Sequence, residues 1–211
     1  MPRVSEAHLE RRRRQILDAA RVCFIRKGFY ETSMQDVFRE SGLSAGAVYR
    51  YFKSKDELVK AIATEGEELL AGFMEDILRQ DPLPPLDQIA GRFADFALTL
   101  TGPDGILRIA PHAWAAAMHN PEIATAIQEL VRTIRRWLFK IVERLRDEGR
   151  LAPDVDVEAV GTTLSFAMPG FVLSRLLLED VDADTFRNGI AGLLAAPAGT
   201  GAQTPAGTRV T

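Results

Sequence analysis

Apolar residues in this chain recur three and four positions apart almost from end to end, and no stretch alternates with period two. That spacing fills one face of a 3.6-residue helix and cannot fill one face of a strand. It points to an all-α fold of about nine helices. Glycine and proline mark where each helix stops. The first helix is expected over 6–28, with Ile16, Ala20, Cys23 and Phe24 on one face and Gly28 as its end. The second is expected over 33–40, capped by Thr32 or Ser33, and the third over 45–51. Ser44 caps the third, and Leu43 and Val48 are placed as a hydrophobic staple.

A capping box, Ser54 to Glu57, opens a fourth helix that runs to about 79. Leu58, Ile62, Leu69, Phe73 and Ile77 lie along its buried stripe. After "DPLPPLD" come helices over about 86–101 and 104–119, the latter kinked or split by Pro111. A long helix follows over 121–148. The next, about 155–179, is apolar nearly all round and needs a burial surface beyond its own core. A last helix covers 183–195, and the Gly/Pro/Thr/Ala-rich tail over 197–211 reads as disordered. No apolar run reaches the roughly 18 residues that a membrane span needs. The first fourteen residues have no signal-peptide character. Cys23 is the only cysteine, so no intrachain disulfide can form, and a reducing cytoplasm fits. On the apolar face of the first helix it reads as a small core residue.

Charge is divided along the chain. Residues 1–55 hold twelve Lys/Arg against six Asp/Glu, while the whole chain has net charge −3. A basic first quarter ahead of an acidic remainder fits a head that binds a polyanion, although a solvated charged face has the same composition. The run Arg11–Arg14 can sit over phosphates or reach a minor groove; equally, it can form surface pairs such as Glu10–Arg14.

Helices two and three are short and joined by "SGLS", a helix-turn-helix pattern. Ala45, Gly46 and Ala47 leave the start of the third helix nearly bare, so its backbone can approach a flat partner such as a groove floor. Val48 and Phe52 hold the helix to its own domain, while Tyr49, Arg50 and Tyr51 project beside them, followed by Lys53 and Lys55. Such groups bind phosphates, and the N-terminal end of a recognition helix reads base edges.

The stretch "TSMQDVFRESGLSAGAVYRYFKSKDELVKAI", with "RRQILDAARVCFIRKGFYET" before it, resembles the DNA-binding domain of TetR-family transcriptional regulators. The resemblance implies a helix-turn-helix domain over 1–53 and an effector-binding and dimerisation domain over 54–196. It implies a homodimeric repressor of a pseudo-palindromic operator, released by a small effector. An activator, or a regulator without a small ligand, is the alternative. Carried over by position, the DNA contacts are Thr32, Ser33, Gln35, Ser44, Ala45, Gly46, Ala47, Tyr49, Arg50, Tyr51 and Lys55. Two departures stand out: Phe38 where the family commonly has alanine, and Ala45 where it often has a polar or cationic residue. Readout then falls to thymine-methyl contact, Arg50, Gln35 and DNA shape.

The all-round apolar eighth helix fits the family's dimer interface, formed with the ninth over about 155–195. The effector site is expected among helices four to eight, enclosed by Phe73, Ile77, Phe93, Phe96, Trp114, Met118, Ile134 and Trp137, which implies an apolar ligand. Each of these residues alone is better explained by plain core packing, and the case for a site is collective. His112 and His119 are seven apart on one helix, but no third ligand accompanies them, so neither a metal nor a cofactor is expected. Catalytic constellations and phosphate loops are missing from the sequence, so an enzyme is not expected; a helical interaction module with an incidental hairpin is the remaining alternative.

Overall fold

In a computed structural model the chain is described over residues 6–178 and 180–195. The expected tail over 197–211 lies outside the described residues. Three helices form the head: α1 (Glu6–Glu31), α2 (Met34–Ser41) and α3 (Ala45–Tyr49). α4 (Lys55–Leu78) leads out of it into α5 (Leu86–Thr99), a 3₁₀ turn (Ile106–Ile109) and α6 (Ala110–Ala117). α7 (Pro121–Asp147), α8 (Val157–Leu178) and α9 (Ala183–Leu194) complete the chain. The described residues contain no strand.

Local chemistry sets the boundaries. Ser33, not Thr32, caps α2. Its hydroxyl accepts from the Asp36 N–H, and the Asp36 carboxylate accepts from the Ser33 N–H in return. Gly42 ends α2 with φ 67°, and its N–H donates to the Arg39 and Phe38 carbonyls. Gly28, at φ 77°, kinks α1 three residues before its end. The box expected at α4 is only half formed. Ser54 accepts from the Glu57 N–H at 3.2 Å, but the Glu57 carboxylate reaches back to the Lys53 N–H at 2.6 Å. Pro111 splits its segment rather than bending it. It sits in the first turn of α6, where a missing N–H leaves no helical bond unmade.

Two apolar cores result. The C-terminal one joins the end of α4 to α5, α7 and α8 through residues such as Ile77, Phe93, Leu138 and Phe171. The head core gathers Ile16, Phe24, Val37, Val48 and Leu58, and it continues into Ile106, Ile109, Ala113, Ala116 and Ile123. Apolar packing therefore crosses residues 53/54 without a break. α4 serves the head core with its first turns and the other core with its last. Between them Leu69, expected on the buried stripe, is exposed.

α8 runs through Pro169 as a single helix. Contrary to the sequence expectation, it is long and apolar enough, at mean hydropathy 1.3, to cross a membrane by length and composition. One side of it packs into the core. Leu164, Met168, Phe171 and Val172 are buried, and α7 comes so close that a Cβ on Gly161 would collide with the Phe139 ring. The other side of α8 leaves Phe166, Leu173 and Leu177 exposed, and Leu178 is exposed at its end.

Candidate nucleic-acid interface and effector cavity

The head presents α3 as a bare, anchored helix. Ser44 caps it, accepting from the Ala47 N–H at 3.3 Å. Val48 and Phe52 are buried in the head core. Ala45 and Gly46 are exposed and Ala47 is half-buried; a Cβ on Gly46 would meet nothing within 4 Å. Tyr49 and Arg50 are exposed, and no hydrogen bond or ion pair within the described residues engages the Arg50 guanidinium. Gln35 is exposed on α2, while Tyr51 is half-buried against the head core. The Phe38 ring packs edge-on to Tyr49, centroids 5.2 Å apart, and so steers the tyrosine.

Three expected contacts are placed otherwise. Thr32 is 1 % exposed, and its hydroxyl donates to the Gly28 carbonyl at 2.7 Å and the Cys23 carbonyl at 3.2 Å. It braces the α1–α2 corner, so its side chain is closed to a partner. The Lys55 ammonium turns inward. It donates to the Phe29 carbonyl at 2.8 Å and the Tyr30 carbonyl at 3.3 Å, and lies 4.5 Å from the Phe29 ring centre. Burial pulls its pKa down. Ser33 is exposed, but its hydroxyl is held by Asp36 at 2.7 Å. Lys27 at 2.7 Å, then Ser33, hold the Asp36 carboxyl well below the usual carboxylate range.

The basic run is likewise partly engaged. Arg12 donates to Gln15 at 2.7 Å, and Arg14 pairs with Glu10 at 3.8 Å as its spacing suggests. Arg13 lies over the Phe52 ring and 3.9 Å from Glu65 of α4. Cys23 is fully buried, and burial raises its thiol pKa, so it is an inert core residue.

A cavity of about 160 Å³ lies among α4, α5, the 3₁₀–α6 segment, α7 and α8. Of the expected lining, Phe93, Phe96, Trp114 and Ile134 are there. Phe73 stands behind the wall, stacked on Phe96 at 4.8 Å. Ile77 and Trp137 pack in the C-terminal core, and Met118, just past α6, is 81 % exposed. Spacing alone could not tell which apolar face of a doubly packed helix meets a void. The residues missed are mostly aliphatic, Leu70, Leu130 and Met168 among them, with Gly66 on α4. The mid-helix Gly66 and Pro169 were the available signals.

The two histidines do not converge. His112 lies against Gly28, where a Cβ would stand 3.5 Å from its Nδ1, and His119 is exposed beyond the end of α6. Among the described residues no three His, Cys, Asp or Glu side chains gather as a metal site would require.

Two stretches of the chain match known families. Residues 16–62 match the family model described as bacterial regulatory proteins, tetR family, and residues 94–196 match that of the BetI-type transcriptional repressor C-terminal region. The chain is 30 % identical over 185 residues to the HTH-type transcriptional repressor Rv1474c of Mycobacterium tuberculosis, covering 83 % of this chain and 88 % of that one. Among solved structures it is similar to Salmonella enterica GusR, with TM-score 0.72, 26 % identity, and 92 % and 99 % of the two chains covered. It also shares its fold with the regulator FadR of Bacillus subtilis, solved with stearoyl-CoA, at TM-score 0.71 and 17 % identity over 87 % and 97 % of the two chains.

Proposed function

As this chain belongs to the TetR family of bacterial regulatory proteins, we propose that it is a homodimeric repressor that leaves its operator when a small, largely apolar molecule fills the α4–α8 cavity. It is a DNA-binding transcriptional regulator with a helix-turn-helix head and a ligand-binding C-terminal region. Its place of action is then the bacterial cytoplasm, on DNA.

One observation carries the coupling: the cavity and the head share a wall. Ile106, Leu107, Ala110 and Trp114 line the cavity. Ile106 also belongs to the head core, together with Ile109, Ala113 and Ala116 of the same segment. A ligand that shifts this segment moves atoms on which the head rests. α4 is the lever. Arg144 donates to the Leu78 and Gln80 carbonyls, both at 2.7 Å, and pins its far end. Near the head, Lys60–Glu122 at 2.5 Å and Asn120–Asp56 at 3.1 Å tie it to α7. Glu65 ties it to α1 through Arg21 at 3.4 Å and Arg13 at 3.9 Å. The ligand acts by population shift, and only as far as its affinities for the two arrangements differ.

The exposed apolar sides of α8 and α9 supply the dimer contact. Leu177 is 71 % and Leu193 77 % exposed, with Phe166 and Leu173 along the same side of α8 as Leu177. A second copy covering these faces would set two α3 helices into successive major grooves, about 34–36 Å apart. What the cavity accepts is set by this chain's own lining; the stearoyl-CoA held by the Bacillus subtilis protein belongs to that protein.

The test is a gel shift with DNA from upstream of the gene at two salt concentrations. Retarded bands that weaken with salt, and that weaken further in Tyr49→Ala and Arg50→Ala, are expected. Unchanged binding in both variants would refute the assignment of α3.

A further inference from the structure

The lining of the cavity defines a narrower ligand class than its location does. None of its side chains is charged, and Trp114 is the only one with an N–H. A second lobe of about 90 Å³ adjoins it, shares Gly66, Ile106 and Trp114 with it, and is also lined without a charge. An ionised ligand would find no counter-ion in either lobe, and an unpaired charge is not retained in such surroundings. Size is equally restrictive. An apolar protein cavity of about 150 Å³ stays dry and takes up benzene, and the main lobe here measures about 160 Å³.

Gly66 stands where the lobes meet. It lies inside α4, where glycine weakens a helix, yet a Cβ there would meet only Ile106 Cδ1, at an ordinary 3.9 Å. Close packing therefore does not require a glycine at this position. What its missing side chain provides is open space along the wall common to both lobes.

We propose that the main lobe binds an uncharged, predominantly apolar molecule of about one ring, and that Gly66 sets the admissible size by leaving the wall common to the two lobes open. The inference rests on the effector reading above, and the test separates the two. The chain has two tryptophans, so Trp137→Phe leaves Trp114 as the sole indole. Toluene, benzoate and benzylammonium are titrated into this full-length variant at about pH 7.5, where the last two are ionised.

Toluene is expected to change the Trp114 emission saturably. The ions are expected to leave it unchanged at about 100-fold higher concentration. Either ion binding within about tenfold of toluene, or no saturable toluene signal, overturns the ligand class. Adding Gly66→Leu is expected to weaken toluene at least about tenfold with helicity kept, and Gly66→Ala to weaken it less. Wild-type toluene affinity in both variants overturns the role of Gly66. A gel shift on the same samples isolates the effector reading. Toluene that binds without releasing DNA supports the ligand class and removes the effector role.

Discussion

At Arg50 and Lys55 two cations five positions apart have opposite assignments. Arg50 is exposed and unengaged, whereas the Lys55 ammonium bonds two carbonyls at the end of α1. Arg50→Ala is therefore expected to cost about 1–3 kcal/mol of operator binding with the melting temperature unchanged. Lys55→Met should lower the melting temperature first, by on the order of 1 kcal/mol of stability; anisotropy with labelled duplex beside thermal melts separates them. Asp36 supplies a pH dependence. Its folded pKa lies below the unfolded value of about 3.9, so its stabilisation is complete above that value and fades as pH falls toward the depressed one. Urea melts should show wild type more stable than Asp36→Asn at about pH 7, with the gap narrowing steadily as pH falls below about 3.9. The Ser44 cap was legible in the sequence because its partner lies three residues on, and the Val48 anchor because it is the one large aliphatic residue of an otherwise bare helix. The role of Lys55 was not, because its acceptors, the Phe29 and Tyr30 carbonyls, lie 26 and 25 residues back, and that of Thr32 was not, because the kink at Gly28 turns the nearby Gly28 and Cys23 carbonyls toward it.

Among the elements, α1 and the 3₁₀–α6 segment meet at Gly28 and His112. A methyl on Gly28 would make ordinary contact with His112 at 3.5 Å, so the cost of Gly28→Ala comes from the backbone, held at φ 77°. A loss of about 1–2 kcal/mol in chemical denaturation is expected. No change in stability would mean that the kink relaxes freely and cannot transmit force. The helices themselves were readable from apolar period and punctuation. Their inner ends differ from expectation where a backbone donor chose another acceptor, as the Lys53 N–H did with the Glu57 carboxylate. The cavity was half readable. Aromatics drew attention to Phe93, Phe96 and Trp114, but a void is defined by what five packed segments fail to fill, and no single period encodes that.

For the whole molecule, the exposed side of α8 is the feature that a lone copy leaves unexplained. The sequence announced it as a helix apolar all round, and the structure shows one side already used by α5 and α7. Leu177→Glu is expected to yield monomers in light scattering and to abolish tight binding to a two-fold operator. Dimers of unchanged stability would move the interface elsewhere. If cavity and heads form one mechanical unit, as proposed, the distance between the two heads responds to what fills the cavity. Ala45→Cys places a spin label on each exposed α3, while the buried Cys23 stays unlabelled. Pulsed spin–spin distances are then measured on the dimer, free and with Trp114 emission saturated by toluene. Saturation is expected to move the distance distribution by several ångströms, away from the arrangement that sets the two α3 helices about 34–36 Å apart. Superimposable distributions with the cavity filled would contradict the claim.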